Sequence, residues 1–418
     1  MGFWYCLREY SCIKSLFPLS RHDPERAIAT LRPLSTSRRL GLAAVLCGLL
    51  NPSAASDQAA PLDARLNEQV VMVPAGPDGT QALETTFFRP NGPGPFPLLV
   101  INHGKQAGNP REQARERFIH MASAFVRRGY AVMVPMRGGY ARSSGKYVDH
   151  GCDMTANGYA QADDVIDAIA YARRQSWIDA GRIVVAGQSY GGLASVALAA
   201  RAVPGVRGVL NFAGGLRIDG GGCDWRAALV RAYAEYGAHN RVASLWLYGA
   251  NDSYFKPPLV GRMYRAFVDA GGKANLLAYG AFKRDAHVML ASRDGVKVWL
   301  PETQRFLRAI GMPSEEIYTL AEPAPPAKTG FAPLADVGAV PFLPAGGRAA
   351  YRAFLDKMTP RAFALSASGA WGWAEEGEDP DRRALSACQL KSSQPCRLYS
   401  VDDDVVWRGA SGASGATE

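Results

Sequence analysis

Arg182-Ile-Val-Val-Ala-Gly-Gln-Ser-Tyr-Gly-Gly192, continuing through residues 193–201, is the stretch from which the fold can be read. A short β-branched run ends in Gly187-Gln188-Ser189-Tyr190-Gly191, and an alanine-rich segment of helical composition follows at once. Ser189 therefore falls where a buried strand turns abruptly into a helix. Small residues two before and two after the serine suit a turn too tight for bulky Cβ groups. The turn lifts Ser189 Oγ clear of the sheet, and the Tyr190 N–H, opening the helix, can hold a developing oxyanion. In a chain with 44 glycines the five-residue pattern alone is weak; the strand before it and the helix after it give it weight.

The same alternation spreads both ways. Residues 70–73 and 83–88, separated by the turn-forming Pro77-Asp78-Gly79, read as an antiparallel pair. A buried strand at 98–101 ends in Asn102-His103-Gly104, residues 111–128 have helical character, and 131–134 is the next strand. A glycine-rich loop over 137–145 and a helix over 157–175 precede the Ser189 strand. Beyond it lie strands at 206–212, 244–248 and 274–279, with helices at 259–270 and 293–310. Short continuous apolar strands between amphipathic helices give an α/β fold class: a mostly parallel central sheet covered on both faces, with its chemistry at the carboxyl ends of the strands.

Those ends supply partners for Ser189. The 244–248 strand runs into Gly249-Ala250-Asn251-Asp252, and the 274–279 strand runs toward Asp285-Ala286-His287. A serine hydroxyl needs a base near neutral pH, which an imidazole provides; a carboxylate on the other ring nitrogen fixes the tautomer. Ser189, Asp252 and His287 are the candidate triad, with Asp285 as a local rival to Asp252. His103-Gly104-Lys105 offers the second oxyanion N–H from Lys105, with Gln106 as alternate, and makes His103 a positioning residue. Arg137 and Tyr140 are placed at the same rim as substrate contacts or loop scaffolding. Between residues 212 and 241 lies a possible small cap in which Trp225, with Arg217, Arg226 and Tyr233, either lines an entrance or packs inward.

Together Gly187-Gln188-Ser189-Tyr190-Gly191, Gly249-Ala250-Asn251-Asp252, Asp285-Ala286-His287 and the His103-Gly104 loop resemble the dienelactone hydrolase-like branch of the α/β-hydrolase superfamily over roughly residues 70–310. The resemblance implies an α/β-hydrolase fold, a Ser189 nucleophile, a His287 base, an orienting Asp252 and ester or related acyl hydrolysis without a cofactor. Dienelactone hydrolases proper carry a cysteine where this chain has Ser189, which turns the resemblance toward serine esterases. Prolyl oligopeptidase-type peptidases share the Ser–Asp–His order and give a second reading. A noncatalytic binding protein built on a hydrolase fold is a third.

Outside residues 57–311, assigned to the catalytic domain, the composition changes. Arg38-Arg39, the apolar run 40–50 and small residues through Ser56 form a secretory signal pattern within an N-terminal extension, 1–56, and point to a secreted or periplasmic protein. The apolar run is short for a bilayer span. Cys152, Cys223, Cys388 and Cys396 remain after that segment. Nearness in sequence favours Cys388 with Cys396, leaving Cys152 with Cys223; free thiols are the alternative. Of the nine net positive charges, four belong to residues 1–56, which hold seven Arg or Lys and three Asp or Glu. The remainder forms no dense basic run and no nucleic-acid motif, so the expected partner is a small ester or acyl substrate. Residues 312–347 read as a Pro/Gly-rich linker, 348–408 as a small α+β module and 409–418 as a disordered tail. Asp402-Asp403-Asp404 lacks the alternation and glycine of a calcium loop, and no metal site is expected.

Overall fold

The computed structural model describes residues 61–409 apart from 221, 322 and 323; the signal pattern and residues 410–418 lie outside the described residues. In chain order the main elements are β1 (Gln69–Ala75), β2 (Gln81–Phe88), β3 (Phe96–Asn102), α1 (Ile119–Arg127), β4 (Ala131–Pro135), α2 (Met154–Ala172), β5 (Ile178–Gln188), α3 (Tyr190–Ala200) and β6 (Val206–Phe212). There follow α4 (Trp225–His239), β7 (Ala243–Gly249), α5 (Pro257–Asp269), β8 (Ala274–Tyr279) and α6 (Val296–Ala309). The sheet order is β1-β2-β4-β3-β5-β6-β7-β8. β2 pairs antiparallel with both β1 and β4, and every pairing from β4 to β8 is parallel.

Successive strand residues point to opposite faces, so a strand buried on both must be apolar throughout. In β3, Leu98 and Val100 join one core with β5 residues Ile183 and Val185, under α2, α3, α4 and α5. Leu99, Ile101, Val184 and Ala186 join the opposite core, under α1 and α6. Two expectations are corrected here. The helix expected over 111–128 starts only at Ile119, because Phe118 adopts φ +49° and the polar residues before it bond sideways to Glu68 and Gly104. The expected cap helix, α4, is instead a layer helix: Trp225, Leu229, Ala232, Tyr233 and Tyr236 are buried in the first core.

The C-terminal module consists of α7 (Ala345–Leu355), β9 (Arg361–Ser366), β10 (Trp371–Glu375), α8 (Pro380–Gln389), β11 (Cys396–Val401) and β12 (Asp404–Val405), with sheet order β10-β9-β11-β12, all pairings antiparallel. Phe363 and Leu365 pack with Tyr351 and Phe354 of α7, while Ala362 and Ala364 face Ala384 and Cys388 of α8. The stretch read as a linker is partly built into this module, since Val340 and Leu343 are buried in its core. Cys388 is bonded to Cys396, and Cys152 to Cys223. The three aspartates answer cations: Asp402 pairs with Arg293, Asp403 with Arg361 and Asp404 with Lys328. Among the described residues no helix is long and apolar enough to cross a membrane.

Two glycines allow a contrast. A Cβ on Gly191 would overlap the carbonyl oxygens of Asn102 and His103, whereas one on Gly346 in α7 meets nothing. Gly191→Ala is expected to destabilise the chain by roughly 1–3 kcal/mol through overpacking. Gly346→Ala should stabilise its helix by roughly 0.5–1 kcal/mol. Urea midpoints of both variants against the unsubstituted chain check the two signs.

Candidate active site

β5 delivers Ser189 to the edge of the sheet in a conformation that few non-glycine residues hold, φ +55° and ψ −123°. Bonds across the elbow fix it: Ser189 N–H donates to Phe212 O at 3.0 Å, and Gly215 N–H donates to Ser189 O at 3.0 Å. A Cβ on Gly187 would overlap Gly191 O, so both flanking glycines are sterically required. In α3 the Gly192 and Leu193 N–H groups bond back to Ser189 O, at 2.9 and 3.2 Å, and the Tyr190 N–H comes before both, directly after the serine.

The loop after β3 lies against the serine. A Cβ on Gly104 would stand 2.9 Å from Gln188 Oε1 and 3.3 Å from Ser189 Cβ, so a side chain there would press on the elbow. Gln106 N–H is committed to Gln113 Oε1 at 3.0 Å and its side chain to Glu116 at 2.9 Å, which leaves Lys105 as the better candidate for the second amide. His103 is fully buried and accepts from Arg137 N–H on Nε2 at 3.1 Å; its Nδ1–H then donates to Gly104 O at 2.7 Å. Burial, with the Arg137 charge beside it, holds this imidazole well below its ordinary value, so it stays neutral.

Arg137 and Tyr140 also lie fully buried, beneath the rim rather than on it. Arg137 donates to His103 O and to Gln161 Oε1, both at 2.7 Å, and its guanidinium lies over the Tyr140 and Tyr190 rings. These contacts make both residues supports of the loops beside Ser189.

The loops after β7 and β8 meet at the same edge. His287 Nδ1 donates to Asp252 Oδ2 at 3.1 Å; the other carboxylate oxygen accepts the N–H groups of Tyr254 and Phe255, each at 2.8 Å. Asp252 is completely buried, and His287 nearly so. With its proton on Nδ1, the ring keeps Nε2 as an available lone pair. Gln188, immediately before the serine, donates from Nε2 to His287 O at 2.9 Å and ties the two loops together. Asp285 does something else: it accepts Ser253 N–H and His287 N–H, each at 2.9 Å, and Ser253 Oγ–H at 2.5 Å. It pins backbone to backbone and does not touch the imidazole nitrogens through any of these bonds.

A mostly parallel eight-stranded sheet whose second strand runs antiparallel, with a serine elbow after the fifth strand, an aspartate after the seventh and a histidine after the eighth, decides the architecture. The chain has the α/β-hydrolase fold. Within that fold the model of the X-Pro dipeptidyl-peptidase (S15 family) matches residues 78–232, a stretch that includes the Gly104 loop and the Ser189 elbow. No curated protein matches the chain. Among solved structures it is similar to a Klebsiella pneumoniae chain provisionally assigned as a dienelactone hydrolase (19% identity, TM-score 0.41, covering 58% of this chain and 98% of that one). It is also similar to the Pyrococcus furiosus esterase Pf2001 (15%, 0.44, 59% and 91%). A third likeness is to a Mycobacterium tuberculosis puromycin-hydrolyzing peptidase (18%, 0.44, 60% and 41%). The fold assignment rests on the strand order itself.

A cleft of about 590 Å³ is lined by Ser253 and Tyr254, but not by Ser189, Asp252 or His287 themselves. Tyr254 packs at a tilt against the His287 ring at 4.4 Å between centroids, Arg217 lies over Tyr254, and Phe255 links His287 to Trp225. Trp225 is itself buried and carries the Arg226 guanidinium on its face. Cys223, bonded to Cys152, lines the same cleft. The sequence reading missed Tyr254 and Phe255, although Asp252-Ser253-Tyr254-Phe255 places two aromatics directly after the acid. Among the described residues no group of three or more His, Cys, Asp or Glu is arranged to hold a metal ion.

The two aspartates are separable by substitution. Asp252→Asn removes the carboxylate from His287 Nδ1 and is expected to lower acyl-transfer kcat by about 10⁴-fold. Asp285→Asn leaves the imidazole's own partner in place, so its loss should be a small fraction of that. Steady-state kinetics on one activated ester decide; equal losses would reassign the acid.

Proposed function

We propose that this chain is an exported serine hydrolase that cleaves short or polar esters through an acyl-enzyme. The observation that carries the reading is the strained Ser189 elbow packed against Gly104 on one side, with the buried His287–Asp252 pair tied to it through Gln188 on the other. In this mechanism His287 Nε2 takes the Ser189 proton as Oγ attacks the acyl carbon. The Tyr190 and Lys105 amides hold the oxyanion, and the imidazolium then protonates the leaving group. Water activated by His287 releases the acid. Asp252 keeps the ring in the required tautomer, and its two backbone donors keep Asp252 itself in place. Two disulfides and the signal pattern at residues 38–56 support export.

The peptidase reading draws on the S15 family match over residues 78–232. A dipeptidyl peptidase must hold a free N-terminal ammonium near its nucleophile. The cleft lined by Tyr254, whose ring packs on His287, instead collects Arg217, Arg226 and Lys256, against one acid, Asp219, which already binds Arg217 at 2.7 Å. That balance favours an uncharged or anionic acyl group. A panel of short p-nitrophenyl esters beside Xaa-Pro arylamides tests the choice: ester turnover that Ser189→Ala abolishes, with slower or absent arylamide cleavage, is expected. Arylamide turnover that outpaces the esters would move the assignment to a peptidase.

A further inference from the structure

α1 starts without a cap of its own, because Phe118 at its N-cap position offers no side-chain acceptor. The acceptor comes from the C-terminal module: Ile119 N–H donates to Glu378 Oε1 at 2.6 Å. Beside it Arg117, already paired with buried Glu68, reaches Asp379 at 3.2 Å. Glu116, the residue before Arg117, starts a set of side-chain bonds that runs to the loop beside Ser189. Gln106 Nε2 donates to Glu116, Gln106 N–H donates to Gln113 Oε1, and Gln113 Nε2 donates to Gly104 O at 3.3 Å.

The other end of the same module loop grips the histidine side. Glu376 accepts from Lys283 Nζ at 2.9 Å, and Lys283 also donates to Thr359 O and pairs with Asp294. Lys283 precedes His287 by four residues. Its carbonyl accepts from Asn251 Nδ2 at 3.0 Å, while Asn251 Oδ1 accepts Phe282 N–H at 2.9 Å, so the loop before His287 is fastened to the residue before Asp252. Arg284 adds a bond to Asp356 O at 2.6 Å.

Exposed ion pairs contribute little, but the Lys283 and Glu376 side chains are only 16% and 12% accessible. Within residues 376–379, Glu376, Gly377 and Asp379 all have positive φ, between 46° and 67°. Such a backbone persists where its surroundings over-determine it, and here the surroundings are the two walls of the catalytic edge.

We propose that the 376–379 loop is a positioning element for the hydrolytic site: through Lys283 it braces the loops carrying Asp252 and His287, and through Glu378 it braces the segment behind Gly104 and Lys105. The inference rests on the serine-hydrolase reading of Ser189 and makes the C-terminal module part of the machinery rather than an appended unit. Burial, with Glu116 and Asp379 nearby, pushes Glu378 up to about 8, so below that pH it meets the Ile119 N–H mainly as a neutral carboxyl. A glutamine has the same shape and keeps the acceptor.

The test is kinetic, on the full chain with a short p-nitrophenyl ester. Glu376→Ala, Lys283→Met and Glu378→Ala are each expected to lower kcat by roughly ten- to a hundredfold, the scale of a small misplacement of reacting groups, with KM little changed. Glu378→Gln should restore most of the loss. Hydrogen exchange in Glu376→Ala and Glu378→Ala should quicken at residues 103–106 and 283–289 while β5 and β6 stay protected. Should an alanine variant fail to fold, Glu376→Gln carries the same test, since it keeps the shape and removes the charge.

Wild-type kcat in these variants, or quickened exchange confined to the module, overturns the proposal while Ser189-dependent turnover leaves the hydrolase reading standing. Turnover that survives Ser189→Ala sinks that reading and the proposal with it.

Discussion

Ser189 holds a left-handed backbone conformation with a side chain attached, and packing on every side is what keeps it there. Phe212 and Gly215 bond its amide and carbonyl from β6 and the loop beyond; Gly104 presses from the β3 side, and the Gly187–Gly191 approach closes the turn beneath it. Each of those contacts requires the parallel register of β3, β5 and β6, which comes from continuous apolar runs that only a sheet covered on both faces can bury. Strand composition therefore reaches the nucleophile in two steps: it sets the register, and the register holds the strain.

The same edge shows a division of labour among polar groups that repeats at each candidate. Asp252 spends one oxygen on His287 and the other on two backbone amides, so its orientation does not depend on the histidine. His103 is neutral and bonded at both ring nitrogens, which suits it to hold the Gly104 loop and leaves it no free lone pair for base work. Arg137 joins His103 to α2 from below. The groups that would react are thus each held by neighbours whose bonds fix their orientation, a pattern that preorganised sites require.

Much of this was legible in the sequence because it is local. The strand–elbow–helix signal around Ser189, the strand preceding Asp252 and the approach to His287 each occupy a dozen residues, and β-strand runs of Val, Ile and Leu announce themselves. What escaped depends on residues far apart. Phe118 makes the helix expected over 111–128 start late, at Ile119, since the first N–H of α1 waits for Glu378, a partner that no window around it contains. The burial of Arg137 and Tyr140 likewise depends on distant partners, Gln161 of α2 and Tyr190 of α3 for Arg137 and the His103 and Tyr147 rings for Tyr140, and composition had allowed a surface role equally well. Val340 and Leu343 sat in a Pro-rich stretch whose polarity resembled a linker, yet the module's small core draws both of them in.

Labelling of the full chain with a fluorophosphonate, followed by mass mapping, tests the acyl-enzyme account most directly, since the reagent needs both an activated serine and an oxyanion site. The account predicts a single adduct on Ser189 that is lost in His287→Ala. An adduct on another serine, or labelling of Ser189 that is indifferent to His287, would contradict it.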